Sequence, residues 1–234
     1  MTLTRDEHQA LLSVKTATLT TVLLKMGVSK VWISGAFPLR DGQSRIVGPA
    51  FTLRFIPARN DLSTPESLAS ATSTRTAIEA MPEGCIAVVA ADGCRDAGIF
   101  GDILCERMKQ RSVQAVVTDG VVRDLEGVLE TELPVWATGA AAPPSFSGLT
   151  FVGWNDPIGC GGVAIFPNDI VVADKDGAVI IPQAMVSDVC AAAIEHEKME
   201  GWILEQVKSG TPLPGLYPPN DENIARYEAW KQTK

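Results

Sequence analysis

Residues Gly98 to Gly127 read GIFGDILCERMKQRSVQAVVTDGVVRDLEG, and the order of segments within this stretch decides the fold. Two glycines, Gly98 and Gly101, lead into DILCERMKQR, which has helix-favouring composition and apolar residues at Ile103, Leu104 and Met108. A loop therefore feeds a helix N-terminus, which carries unpaired backbone N–H groups and a partial positive charge. With glycine at the entry, a ligand carboxylate or phosphate can approach the main chain closely. Ala115-Val116-Val117-Thr118 then reads as a short buried strand, Asp119-Gly120 as a turn, and Val121-Val122-Arg123-Asp124 as an extended exit.

The exit delivers an arginine and a carboxylate together. Arg123 offers a planar fork suited to an α-keto acid or another carboxylate, and Asp124 offers hard oxygen to a divalent cation. Neighbours on an extended segment point to opposite sides, so the two serve one site only if the chain bends, and Gly120 is the expected place for the bend.

Working outward, Thr4 to Met26 reads as one helix, with Thr4-x-x-Glu7 as a capping box and Gly27 as the stop. Arg45 to Ile56 reads as a strand whose Gly48-Pro49 marks a bulge or an edge. Pro57 to Ser73 is a loop containing Arg59, Asn60 and Asp61, either a lid over a small polar substrate or a surface connection. A short helix over Thr74 to Met81, a buried strand over Cys85 to Ala91 and a strand over Pro134 to Ala137 frame the central stretch. Strands follow at Leu149–Trp154, Val163–Phe166, Ile170–Ala173 and Ala178–Ile181. Ile158-Gly159-Cys160-Gly161-Gly162 has no following lysine and no helix to open onto, so it reads as a structural turn rather than a phosphate loop. Gln183 to Lys208 is the last long helix, and a tail rich in proline and aromatics, residues 210–234, is expected to pack on the 1–209 core or on a neighbouring subunit. Early alternation of strands and helices with strands clustered late predicts a mixed α/β layered fold in a single domain.

Composition narrows the function. The net charge of −8 argues against nucleic acid and anionic membrane as partners. No stretch approaches a membrane span and the N-terminus lacks an apolar signal core, so the expectation is a cytoplasmic protein. Five cysteines without zinc-type spacing read as reduced core thiols, and with only His8 and His196 a histidine cluster is unsupported. Any metal is expected to be held by oxygen.

Four motifs carry a resemblance to a known family: Gly98-x-x-Gly101-Asp102-x-Leu104, Asp119-Gly120-x-x-Arg123-Asp124, the run Pro82 to Val89, and the run Phe166 to Gly177. In this order and spacing, from about Leu19 to Lys208, the chain resembles the family that contains the 4-hydroxy-4-methyl-2-oxoglutarate aldolases and the regulator of ribonuclease activity A. The resemblance implies a swivelling β/β/α-type sandwich, assembled as a trimer or a dimer of trimers with sites at subunit boundaries. It implies Arg123 on the keto-acid carboxylate, Asp124 on Mg²⁺ or Mn²⁺, Asp102 reaching the metal through water, and substrate held at the helix start by Gly101, Asp102, Ile103 and Leu104. It also implies a catalytic glutamate from the late helix of a neighbouring subunit, for which Glu197 fits best, with Glu195 and Glu200 near in register. The activity implied is a metal-dependent lyase that cleaves a 4-hydroxy-2-keto acid or decarboxylates oxaloacetate through a pyruvate enolate. Two alternatives stand beside it: a non-catalytic, protein-binding ribonuclease regulator, and a lyase or dehydratase acting on a keto acid derived from a sugar acid.

Overall fold

A computed structural model describes residues 3–233. Helices α1 (Arg5–Ser13) and α2 (Thr16–Lys25) precede β1 (Phe37–Pro38) and the long β2 (Ile46–Pro57). After α3 (Thr74–Ala80), the run β3 (Ile86–Ala90), α4 (Asp102–Gln110), β4 (Ala115–Thr118), α5 (Leu125–Glu130) and β5 (Val135–Ala137) forms two successive crossover units. The strands β6 (Leu149–Trp154), β7 (Ile158–Cys160), β8 (Val163–Ile165), β9 (Ile170–Asp174) and β10 (Gly177–Ile181) follow, and then α6 (Val186–Lys208) and α7 (Asp221–Lys231).

The main sheet runs β1-β5-β4-β3-β2-β9-β10, with β6 also on β2. Strands β2 to β5 are mutually parallel, whereas β1, β6, β9 and β10 each pair antiparallel with their neighbours. Strands β1 and β10, at opposite ends of this order, also touch, so the sheet nearly closes on itself. Alternation along each central strand fills both faces. Ile86, Val88, Val117, Trp136, Val171 and Ile180 point into the enclosed core, where the Trp136 indole donates to the Asp174 carbonyl at 2.7 Å. Ala87, Val89, Val116 and Val135 pack outward with residues of α3, α4 and α5 such as Ile78, Met108 and Val128. Helices α1, α2 and α6 cover β9 and β10 with a third cluster that includes Leu19, Leu23, Val172 and Val189. Burying each such side chain contributes about 1.5–3 kcal/mol, which is why near-continuous valine runs read as strands covered on both faces.

Three local expectations need correction. The first helix is two: the chain is extended at Val14 and at Lys15, and α2 starts after Lys15. Glu197, far along α6, stabilises that second start from outside by accepting the Lys15 amide at 2.9 Å, a long-range contact that local periodicity cannot reveal. The capping box at Thr4 and Glu7 and the left-handed Gly27 (φ 89) mark the outer ends as expected. Second, Gly48-Pro49 is neither edge nor bulge. Strand β2 is central, pairing with β9 through residues 46–49 and with β3 through residues 50–54, and its register shift falls between Arg54 and Phe55. Third, the tail beyond α6, the last long helix, carries a short helix of its own. Asn220 caps α7 by accepting the Asn223 amide, and α7 lays Tyr227 against Trp202, Ile203 and Leu216. The Tyr227 hydroxyl and Lys231 ammonium both bond Glu195, at 3.1 and 2.7 Å.

Candidate functional site

The carboxyl ends of β3 and β4 open onto a cleft of about 270 Å³, the place where open parallel sheets receive ligands. Three extended pieces extend the sheet there. The Ile99 amide donates to the Val121 carbonyl and the Arg123 amide to the Phe100 carbonyl, both at 2.9 Å, while the Val122 amide donates to the Gly139 carbonyl at 3.0 Å. Gly98 must lack a side chain for this to happen, since a Cβ would stand 2.6 Å from the Arg123 backbone nitrogen.

Arg123 and Asp124 do share this cleft, but the bend that brings them together is not at Gly120. It is Asp124 itself, in the left-handed region at φ 51, ψ 48. Aspartate tolerates that conformation better than most residues, at about 1 kcal/mol, and strain of this kind collects at functional sites. Gly120 serves close packing instead: a Cβ there would meet Ala91 at 2.6 Å. The turn's other member, Asp119, is buried and takes the amides of Ala91 and Gly161 at 2.8 and 3.0 Å, tying β3 to the β7–β8 turn.

Gly101 and Asp102, the start of α4, face the start of α5. A Cβ on Gly101 would lie 2.5 Å from Oδ2 of Asp124, and a Cβ on Gly127 would lie 2.9 Å from Oδ2 of Asp102. Each glycine makes room for the other helix's carboxylate. Gly101, Asp102, Ile103, Leu104, Arg123 and Asp124 therefore all line one cleft. The Ile103 amide is already engaged by Oδ1 of Asp102 at 2.6 Å, so the helix start offers fewer open donors than a bare N-terminus. Nε of Arg123 stands 3.0 Å from Oδ2 of Asp124, yet its hydrogen points elsewhere and the atom is buried without an acceptor. The pair is an ion contact on half-exposed side chains, weak enough for a ligand to rearrange.

Glu197 is not brought to this cleft within the chain. Its Oε1 accepts the Lys15 amide and, at 2.7 Å, the Thr18 hydroxyl, while Oε2 pairs with the Lys15 ammonium at 3.1 Å. Burial pushes its carboxyl up, but these bonds outweigh burial and hold it below the ordinary range. Glu195 is committed to α7 and Glu200 contacts His196 at 3.4 Å.

Asp102 and Asp124 are the carboxylates at the helix starts, and among the described residues no three His, Cys, Asp or Glu side chains gather into a ligand set. Two carboxylates beside an open cleft fit a cation such as Mg²⁺ that keeps much of its water, and do not fit a soft metal. Cys85 and Cys105 do not line the cleft, and burial pushes their thiols up to about 12. Sequence reasoning missed Gly127 and Arg75, which completes the cleft from the first turn of α3, and Leu68 and Phe146 on its rim. The loop over 58–73 reaches the cleft through Leu68, whereas Arg59 and Asp61 pair with each other at 2.8 Å in solvent.

The motifs and the fold meet in one comparison: residues 16–180 match the family model described as RraA-like, Aldolase/RraA. The chain belongs to the RraA-like family. A Halalkalibacterium halodurans relative bearing the provisional name 4-hydroxy-4-methyl-2-oxoglutarate aldolase is 30% identical over 157 residues, 67% of this chain and 68% of the relative. Protein DlpA of Legionella pneumophila is 27% identical over 176 residues, 75% of this chain, but the match spans only 28% of DlpA's own length. Streptomyces coelicolor RraAS2, described as an unusual member of the RNase ES inhibitor RraA protein family, superposes with a TM-score of 0.77 at 31% identity, over 86% of this chain and 97% of that one. The RraA-like fold is thus a mixed α/β domain with a nearly closed sheet, and no helix among the described residues is long and apolar enough to cross a membrane.

Proposed function

We propose that the cleft binds a small 2-keto acid with a divalent cation, Mg²⁺ or Mn²⁺, and that the protein is a lyase acting by aldol cleavage or decarboxylation through a pyruvate enolate. The observation that carries this reading is the left-handed Asp124, which sets a carboxylate and a guanidinium side by side at a helix start cleared by Gly101. Asp124 and Asp102 would hold the cation, which when bound supplies Lewis-acid stabilisation of negative charge developing on the keto oxygen. Arg123 grips the keto-acid carboxylate through its fork and fixes the C3–C4 bond in one orientation. The same guanidinium faces the charge that appears as that bond breaks and its electron pair becomes the enolate. In oxaloacetate the fragment lost is CO₂; in a 4-hydroxy-2-keto acid the C4 hydroxyl passes its proton to water in the cleft and the C4 fragment leaves as a carbonyl compound. Enolate protonation at C3 then yields pyruvate. The reading extends to a homo-oligomer in which Glu197 of a neighbouring copy completes the cleft; it would have to exchange its Lys15 and Thr18 bonds to do so.

The test is pyruvate release from oxaloacetate and from 4-hydroxy-4-methyl-2-oxoglutarate, with and without Mg²⁺. Release is expected to stop with EDTA and in Asp124→Asn, which keeps the size and the left-handed preference of the residue but removes its charge. Release indifferent to both changes overturns the assignment. The 31% identity with RraAS2 favours a second reading, a ribonuclease-binding regulator. That reading predicts no pyruvate release and binding to an RNase ES-type enzyme.

A further inference from the structure

The cleft holds a second guanidinium that the reaction above does not use. Arg75 lies in the first turn of α3 and lines the same cleft as Arg123. Its Nη1 donates to the Leu68 carbonyl at 2.9 Å, which steadies the head against the 58–73 loop. The carboxylate that helical spacing would supply to it is Glu79, one turn further along α3. Glu79 is drawn away to α4, where Arg107 and Arg111 bond it at 2.7 and 3.2 Å. Among the described residues Arg75 therefore has no carboxylate partner, whereas Arg123 has Asp124 and Arg59 has Asp61. An exposed cation is ordinary; one that is tethered, deprived of its helical partner and set in the wall of a concave site is placed for a ligand anion.

Resting on the keto-acid reading of this cleft, we infer that Arg75 receives the second carboxylate of a dicarboxylic 2-keto acid and so selects dianionic over monoanionic substrates. Arg123 takes the carboxylate next to the keto group, and Arg75, on α3, takes the far one. A monocarboxylic keto acid leaves Arg75 unanswered. The guanidinium fork matches a carboxylate, so a lysine at this position recovers the charge without the geometry.

The experiment is titration calorimetry in Mg²⁺ buffer with 2-oxoglutarate and 2-oxovalerate, which share a chain length and differ in the second carboxylate. Wild-type protein is expected to prefer 2-oxoglutarate roughly tenfold to a hundredfold, the range of a charge-assisted hydrogen bond. In Arg75→Gln, which keeps an amide donor for the Leu68 carbonyl, the ratio is expected to fall to near one, and Arg75→Lys is expected to recover part of it. Thermal melts establish that both variants are folded. Equal affinities in the wild type, no binding of either acid, or a preference that persists in Arg75→Gln each overturn the inference. Because binding is read without turnover, a clear preference in a protein that releases no pyruvate keeps the role of Arg75 and removes the lyase reading. Pyruvate release without a preference does the reverse.

Discussion

Gly101→Ala separates the geometry of the site from the stability of the fold. Gly101 has φ −110 and ψ −172, extended backbone open to any residue, so an alanine there meets no backbone strain. Its Cβ would stand 2.5 Å from Oδ2 of Asp124 and 3.4 Å from Cγ of Arg123. Ordinary carbon–oxygen contact requires the carboxylate to retreat by about 1 Å. That atom is the free end of a side chain, so the fold yields easily. The stability cost is that of alanine for glycine at a helix N-cap, about 1 kcal/mol or less, and a melting temperature lower by about 2–4 °C. A reacting group misplaced by ~1 Å costs about a hundredfold in rate, equivalent to about 2.7 kcal/mol of transition-state stabilisation. Steady-state pyruvate release at saturating Mg²⁺, with a parallel cation titration, should therefore show kcat/KM falling about two orders of magnitude in a protein that melts almost normally. Gly159→Ala is the matched control, because a Cβ there enters open space. A folded Gly101→Ala protein with wild-type kcat/KM and cation affinity would show that Asp124 does not act from the position described.

Gly98→Ala is expected to behave oppositely, because its Cβ would strike backbone, 2.6 Å from the Arg123 nitrogen and 2.8 Å from the Val122 carbonyl carbon; calorimetry should show a destabilisation of about 1–3 kcal/mol, and an unshifted melt counts against the close approach. Arg123→Lys keeps the charge but loses the fork, so kcat/KM for a keto acid should drop despite an unchanged melt, and equal kinetics would make the guanidinium dispensable. For Glu197→Gln the sign follows from a carboxyl held below its ordinary pKa by Lys15 and Thr18 despite burial: its stabilisation is full above the unfolded value and is lost as pH falls through the lower folded value. The variant should melt a few degrees lower at neutral pH, with the gap closing below about pH 4, and a gap independent of pH removes the capping role. Mixing Glu197→Gln with Asp124→Ala chains should restore pyruvate release if the glutamate also serves a neighbour's cleft.

Much of the chain was legible because its signals are local. The buried run Ala115–Thr118, the strand Leu149–Trp154 and the capping box at Thr4 stand where alternation and cap chemistry put them. The features that escaped depend on contacts distant in sequence. The break at Val14 is supported by a glutamate 182 residues away from Lys15, and the length of α1 plus α2 hides it. The bend at the site sits on Asp124, not glycine, because an aspartate gives no conformational warning in a sequence, whereas Gly120 gives a misleading one. Arg75 gives no signal of its own in the sequence, since nothing in its neighbourhood says that Glu79 turns to α4. Helix α7 did leave a trace, Asn220 followed by Asp221 and Glu222, a capping residue before an acidic first turn, which the prolines ahead of it obscured.

Gly101 with Asp124, and Gly127 with Asp102, form a crossed arrangement in which each helix start omits a side chain so that the opposite carboxylate fits. The room left for those two carboxylates is therefore set by how closely the two helix starts lie, and side-chain rotation works within it. Sequence drift at these four positions is correspondingly coupled: a larger residue at 101 is tolerable only once 124 has shortened or turned away, and the same holds for 127 and 102. A lineage that changes what the cleft holds would have to alter diagonal partners together or move a whole helix, so relatives that lose the carboxylate at 124 should be the ones free to lose the glycine at 101.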